Sequence, residues 1–304
     1  MRLHFHTLDV FTTTRFAGNP LAVVHDADAL SAQQMQVIAR EFNLAESVFV
    51  LKPENPAHSA KVRIFTPGTE LPFAGHPTIG TAALLADLRM PGDAAERDAL
   101  IVLEEAVGVV RVGVRLKSGS AAFAEFDAPK LPELGAAMPP NDVLAGALGL
   151  IPSEIGFENH KPAIASAGVP FAFVPVTSLE AIARAGVQPQ YWSRLFAADG
   201  PGGVYLYCRE TALKSSHFHA RMFAPGRMGI PEDPATGAAA AAFGAIIRKF
   251  DSPRDGSHTR IIEQGLEMGR PSVITLTIEI ARGVLHAVRI GGHAVRVSEG
   301  TIEV

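Results

Sequence analysis

The chain has 304 residues, enough for one large domain or two of ordinary size. With 47% hydrophobic and 19% charged residues it reads as a soluble globular protein, and a net charge of -4 without a dense Lys/Arg stripe excludes the electrostatic footprint of a nucleic-acid binder. A single cysteine, Cys208, rules out an internal disulfide and a cysteine metal cluster, which fits a reducing, cytoplasmic setting.

The opening residues, MRLHFHTLDV, alternate like a strand and lack the apolar core of a signal peptide. Strands are predicted over Leu3–Phe11 and Leu21–His25. Ser31 followed by Gln34 is a capping-box pattern that opens a helix through about Phe42. Ser47–Leu51 and Lys61–Phe65 read as further strands. His76 is expected at a helix N-cap with Pro77 at the first helical position, where its missing N–H costs nothing, and that helix runs through Ala86. Strands follow at Ala99–Glu104, Val109–Leu116 and Ala121–Phe126. Pro129–Pro140 is Pro-rich and reads as a linker. Beyond it, Gly203–Tyr207 is an apolar strand. Asp233 is expected to cap a helix over Ala235–Lys249, whose most apolar stretch, Ala235–Ile247, is too short and too Ala-rich to span a bilayer. Strands close the chain at Val273–Ile280, Leu285–Ile290 and Ala294–Val297.

The chain also repeats itself. Arg63-Ile64-Phe65-Thr66-Pro67-Gly68 is echoed by Arg221-Met222-Phe223-Ala224-Pro225-Gly226, and Gly18-Asn19-Pro20 by Gly168-Val169-Pro170. Each half then leads into a helix start, Gly75-His76-Pro77 in one and Glu232-Asp233-Pro234 in the other, with one residue of difference in loop length. Three stations in the same order argue for duplication. The expected fold is α+β, with two pseudo-symmetric lobes of mixed sheet, each wrapped around a central Ala-rich helix. The N-terminal lobe is expected over residues 1–128 with the C-terminal strand 294–304, and the second lobe over 129–293.

If the two helix starts face one cleft, their N–H groups and positive dipole ends can hold a small carboxylate. Asp is among the best N-caps, so Asp233 has an ordinary structural reading as well. Glu46 precedes the apolar run Val48-Phe49-Val50, and its repeat equivalent falls near Gly202, so the charge exists in one half only. A partly buried Glu of that kind can act as both base and acid; a solvated residue at a strand start is the plainer alternative. The pairs His4/His6 and His217/His219 could ligate metal, but no third ligand lies at a convincing spacing. Cys208 reads as a small core residue. The usual signatures of nucleotide cofactors and serine hydrolysis do not occur.

Gly18-Asn19-Pro20, Asn43-Leu44-Ala45-Glu46-Ser47, the run from Phe65 through Glu70-Leu71-Pro72-Phe73-Ala74-Gly75-His76-Pro77, and Glu232-Asp233-Pro234-Ala235-Thr236-Gly237 together resemble the PhzF-like proteins of phenazine biosynthesis, from about Leu8 to Gly300. The resemblance implies a diaminopimelate epimerase-like fold and an isomerase that moves a proton on a substrate such as dihydro-3-hydroxyanthranilate without metal or organic cofactor. It assigns the essential acid/base to Glu46 and places His76 and Asp233 in the same pocket as further catalytic residues that orient the substrate or relay protons. Asn19, Gly75, Thr236 and Gly237 become the candidate substrate contacts, the two glycines at anion-binding turns. Related epimerases and racemases use one cysteine from each lobe at these helix starts, which this chain lacks. Where the family often has Ser after EDPATG, this chain has Ala238.

The expected activity is thus a cofactor-independent isomerase of a small carboxylate, working as a possible homodimer with no nucleic-acid or membrane partner. The rival reading is a binding or regulatory protein that keeps the fold without turnover.

Overall fold

The computed structural model describes residues 1–90, 96–195, 201–225 and 231–304. The chain divides into two compact units. The first holds Met1–Pro129, Arg270–Ser272 and Ile290–Val304; the second holds Lys130–Gly269 and Val273–Arg289.

The first unit contains β1 (Arg2–Val10), β2 (Asn19–Val24), α1 (Ala32–Phe42), β3 (Glu46–Leu51), β4 (Ala60–Phe65), β5 (Glu70–Leu71), α2 (Gly75–Arg89), β6 (Glu96–Glu105), β7 (Gly108–Lys117) and β8 (Ala122–Asp127). The capping box that opens α1 forms as expected. The Gln34 N–H donates to Ser31 Oγ, and the Ser31 N–H donates back to Gln34 Oε1 at 3.0 Å. Such a cap stabilises a helix by about 1 kcal/mol. Helix α2 is apolar on every side and buried from Gly75 through Ala86, the pattern of a helix enclosed by sheet. Gly80 sets how closely it lies on the strands. A Cβ there would meet Leu21 Cδ2 at 2.6 Å and Val10 Cγ2 at 2.7 Å.

The second unit contains β9 (Glu133–Leu134), α3 (Asn141–Leu148), β10 (Ala163–Ser166), β11 (Pro170–Pro175), α4 (Leu179–Arg184), α5 (Pro189–Leu195), β12 (Val204–Cys208), β13 (Phe218–Phe223), β14 (Glu232–Asp233), α6 (Gly237–Phe250), β15 (Gly256–Gln264) and β16 (Ser272–Ala281). Here α6 is the buried helix. A Cβ on its Gly244 would stand 3.1 Å from Val288 and 3.2 Å from Ile278. The last strand, β17 (Val284–Glu303), gives its first residues to the second unit and the remainder to the first, where it pairs antiparallel with β1. One strand of 20 residues thus replaces the two that the sequence suggested.

Taken separately, the units repeat one topology. In the first, β2 runs antiparallel to β1 and parallel to β3, β3 antiparallel to β4, and β4 antiparallel to β5 and parallel to β6. In the second, β11, β12 and β13 stand in the same relations to β10, β14 and β15. Side chains repeat with the backbone. Arg63 grips Glu70 through Nε and Nη2, both at 2.7 Å, and Arg221 grips Glu232 through Nε and Nη2 at 2.8 and 2.9 Å. Each guanidinium also covers a ring two residues on, Phe65 and Phe223. Glu104 accepts the N–H groups of Glu54 and Asn55; Glu263 accepts those of Ala212 and Leu213.

This register corrects the alignment drawn from sequence. Phe65 pairs with Glu70, and Phe223 with Glu232. The motif counterparts are therefore Glu70 and Glu232, Leu71 and Asp233, and Gly75 and Gly237. The first pair stands five positions apart and the second nine, so the loops differ by four residues rather than one. His76 is the counterpart of Ala238, not of Asp233. Because Ala22 pairs with Ser47 and Ala172 with Val204, the counterpart of Glu46 is Gly203, one residue beyond Gly202.

Candidate active site

Glu46 opens β3, directly across from Leu21 on β2, and only 5% of its surface is exposed. His76 lies in the first turn of α2 with 4% exposed. The fold brings the two together, with His76 Nε2 3.1 Å from Glu46 Oε2. Burial drives the His76 imidazole down to about 3, against a backbone hydrogen bond to Pro20 that favours the charged form. The ring is therefore neutral near pH 7. Proline has no N–H, so the imidazole donates to the Pro20 carbonyl. Among the described residues Nε2 has no hydrogen-bond partner, so the donor is Nδ1. Nε2 then presents a lone pair toward Glu46.

Asn19 is the first residue of β2, fully buried and next in sequence to Pro20. Its approach is fixed by Gly18 of the same motif and by Arg270 and Asp9, which no motif marks. Gly18 has φ +65°, and a Cβ there would fall 2.3 Å from the Val10 carbonyl, so no other residue fits. The Gly18 carbonyl accepts from Arg270 Nε at 2.7 Å, and Arg270 Nη2 reaches Asp9 and the Ala17 carbonyl. Asp9 in turn accepts the Phe16 N–H. An Arg some 250 residues away in sequence offers no local signal of this clamp.

The helix starts differ from expectation. Ala74, not His76, is the N-cap of α2, and Gly75, His76 and Pro77 are its first three residues. Pro77 at the third position still needs no N–H, but the turn presents only the Gly75 and His76 amides outward. In the second unit Thr236 is the N-cap of α6, which begins at Gly237, and Asp233 lies earlier, in β14. Asp233 and Thr236 are both 5% exposed. Thr236 Oγ1 donates to Asp233 Oδ2 at 2.6 Å. Gln264, at the end of β15 and marked by no motif, locks this strap. Its Nε2 donates to the Asp233 carbonyl at 2.7 Å and contacts Thr236 Oγ1 at 3.0 Å, while its Oε1 accepts the Thr236 N–H. The first turn of α6 contains no proline and so offers Gly237, Ala238 and Ala239 amides.

The remaining sequence candidates have other occupations. His219 sits between Glu263 and Glu267 at 2.8 and 2.9 Å. Burial alone would push its imidazole down, but those two carboxylates raise it to about 9, so it is a charged member of a buried network. His217 Nδ1 accepts the Ile261 N–H, and His6 bonds His25. Among the described residues no group of three or more His, Cys, Asp or Glu is arranged to hold a metal ion. Cys208 is buried, donates to the Glu210 carbonyl, and has its thiol pushed up by burial to about 12, the state of an inert core residue. No helix among the described residues is long and apolar enough to cross a membrane.

Two mixed-sheet units, each enclosing one apolar helix, with a buried Glu–His contact at a helix start, define an α+β protein of the diaminopimelate epimerase-like fold. The phenazine biosynthesis-like (PhzC-PhzF) family profile matches residues 8–300, and the chain belongs to that family of isomerases. It is 52% identical over 97% of its length to an uncharacterised isomerase of Mesorhizobium japonicum, covering 96% of that protein. It is 34% identical to the trans-2,3-dihydro-3-hydroxyanthranilate isomerase of Pseudomonas chlororaphis, across 98% of this chain and 99% of the relative. The crystal structure of a Bacillus anthracis phenazine biosynthesis protein of the PhzF family superposes with a TM-score of 0.88 at 25% identity, covering both chains completely.

Proposed function

We propose that this isomerase shifts a proton on a small carboxylate substrate by general acid/base chemistry, with Glu46 as the proton carrier and no metal or organic cofactor. The observation that carries this reading is the 3.1 Å contact between the two buried side chains, Glu46 and His76. Glu46 removes the proton from an acidic C–H and returns it at another carbon. His76, kept neutral by burial, offers its Nε2 lone pair to the protonated carboxyl. It thereby orients the acid between its two tasks without adding a charge to the site. The Gly75 and His76 amides at the start of α2 face the developing or resident negative charge.

The family relationship supports roles for Asp233 in orienting substrate and for Thr236 and Gly237 in contacting it, and Asn19 a role beside Glu46. The substrate class follows the same relationship. The named relatives act on trans-2,3-dihydro-3-hydroxyanthranilate, a cyclic amino carboxylic acid. Ala238 supplies no hydroxyl where the family often has one, so the native substrate either lacks the polar group that such a hydroxyl would meet or places it differently.

The test is solvent deuterium incorporation into trans-2,3-dihydro-3-hydroxyanthranilate and a panel of cyclic and amino carboxylic acids, run with and without chelator. Label should enter at a carbon position of at least one acid, unaffected by chelation. A chain that shifts its melting temperature with such acids but washes in no label is a binder, and the proton-shift reading fails.

A further inference from the structure

We propose that Glu105 is a positioning residue that works as a neutral carboxylic acid, fixing the helix start that carries Gly75 and His76, and that it is the acid counterpart of Gln264. The proposal rests on the reading of Glu46 and His76 as the site.

The correspondence comes from strand register. Lys61 pairs with Glu104 on β6, and His219 with Glu263 on β15. Glu104 and Glu263 perform the same task, each accepting two loop N–H groups. The next residues, Glu105 and Gln264, are therefore equivalent. Gln264 is fully buried and holds the strap ahead of α6 with its amide. Glu105, 7% exposed, reaches the start of α2 through a hydroxyl. Its Oε1 is 2.8 Å from Thr78 Oγ1, and Thr78 Oγ1 is 2.8 Å from the carbonyl of Ala74, the N-cap.

Proton counting decides the state of this chain. A threonine hydroxyl carries one hydrogen. An ionised Glu105 and the Ala74 carbonyl are both acceptors and would compete for it at equal distance. A protonated Glu105 removes the conflict, since its O–H donates to Thr78 Oγ1 and the Thr78 hydroxyl donates to Ala74. The other oxygen, Oε2, is buried with no hydrogen-bond partner among the described residues, a modest cost for a neutral carbonyl and a large one for a carboxylate. Burial pushes this carboxyl up to about 8, against the opposing effect of the Thr78 bond.

The charged groups around Glu105 are committed elsewhere. It borders a groove of about 810 Å³ in which Lys61 on β4 pairs with Glu54, Arg63 on β4 with Glu70 on β5, and Glu104 with His58. The residue opposite on β7 is Gly108, and His76 on α2 is neutral. When Glu105 ionises, the Thr78 hydroxyl turns to the carboxylate, and the Ala74 carbonyl keeps only the Thr78 N–H, at 3.2 Å. The turn bearing His76 then loosens, and the chemical step slows while substrate binding changes little.

The experiment compares wild type, Glu105→Gln and Glu105→Ala, with Thr78→Val and Thr78→Ser as a second pair that breaks or keeps the relay at its middle. Deuterium exchange is followed from neutral to alkaline pH. Wild type should lose kcat with a midpoint near 8, and Glu105→Gln should keep kcat within a few-fold and lack that fall. Glu105→Ala and Thr78→Val should lose about a hundredfold in kcat with KM little changed, the cost of a misplaced catalytic group, and Thr78→Ser should retain it. A Gln variant with the wild-type alkaline fall, or an Ala variant with wild-type kcat, overturns the proposal. A second arm needs no substrate. Folded Glu105 keeps its proton up to about 8, while the unfolded side chain releases it near 4.5. Its contribution to stability is thus complete below 4.5 and is lost as the pH rises through 8. The melting temperature of wild type relative to Glu105→Gln should fall across that window and level off above it. A flat difference shows that Glu105 is not held as an acid and overturns the proposal even if Glu46 is confirmed as the base.

Discussion

His76 Nε2 stands 3.1 Å from Glu46 Oε2 with both side chains almost wholly buried, although the two residues lie thirty positions apart on a strand and a helix. The parallel pairing of β2 with β3 aligns Glu46 with Leu21, and the hydrogen bond to Pro20 draws His76 to the same edge. Glu46→Gln keeps the shape and removes the base. Loss of a general base costs about a hundred- to ten-thousand-fold in rate, so deuterium exchange should all but vanish. Stability should change by only about half a kcal/mol. Exchange within a few-fold of the parent on the same substrate would transfer the proton-carrying role away from Glu46.

The neutrality of His76 has its own pH signature. Its folded-state value of about 3 lies below the ordinary 6.5, so in that interval the unfolded chain binds a proton that the folded chain refuses. Stability contributed by the neutral ring is therefore complete above 6.5 and is lost as the pH falls toward 3. His76→Asn cannot titrate. Its unfolding free energy should fall less steeply with acid than that of wild type over this interval, as read from urea melts at several pH values. Parallel pH dependences would mean that the ring is not buried as a neutral group.

Gly80 tests the packing that carries the site. Its absent Cβ would fall 2.6 Å from Leu21 and 2.7 Å from Val10, inside the sheet around α2. Gly→Ala in a helix interior ordinarily stabilises by about 1 kcal/mol. Here overpacking opposes that gain with about 1–3 kcal/mol. The net expectation for Gly80→Ala is destabilisation, and for Gly80→Val a larger one, measured by thermal melting. A stabilised Ala variant would show that Leu21 and Val10 move aside freely.

Local chemistry was legible in the sequence, and long-range register was not. Ser31 and Gln34 predict their own capping box because both partners lie within one turn. Glu46 and His76 were singled out by motif, but only the fold brings them into contact. A polar residue before proline imitates an N-cap, so the sequence points to His76 and Asp233, whereas α2 starts one residue before His76 and α6 four after Asp233. The break expected near Gly291 and Gly292 is no turn. A Cβ at Gly292 would lie 2.3 Å from Phe11, and at Gly291 2.8 Å from Phe123, so these glycines let one continuous strand pass close to aromatic rings. Glu105 and Gln264 carry no sequence signal, because a polar residue at a strand end has no distinguishing pattern; their equivalence exists only in the pairing of β6 and β15 with their neighbours.

The repeated Arg–Glu fork should have unequal worth in its two places. Arg63 and Glu70 are about one-third exposed, 27% and 37%, and water screens them. Removing Arg63 as Arg63→Ala should cost about 1 kcal/mol or less. Arg221 and Glu232 are 9% and 16% exposed, and Arg221 Nη1 also donates to the carbonyls of Ile182, Ala183 and Ala185, at the C-terminal end of α4. Arg221→Ala leaves a poorly solvated carboxylate and three carbonyls short of a donor, a change of about 3–5 kcal/mol. Replacing both partners with Met should recover part of this loss, because the stranded charge goes with its partner. Recovery should stay incomplete, because the α4 carbonyls still lack Arg221. Chemical denaturation of the two single variants and the double variant measures all three quantities. Equal costs at Arg63 and Arg221 would show that burial does not set the strength of this fork. Full recovery in the double variant would show that the bonds to α4 contribute nothing.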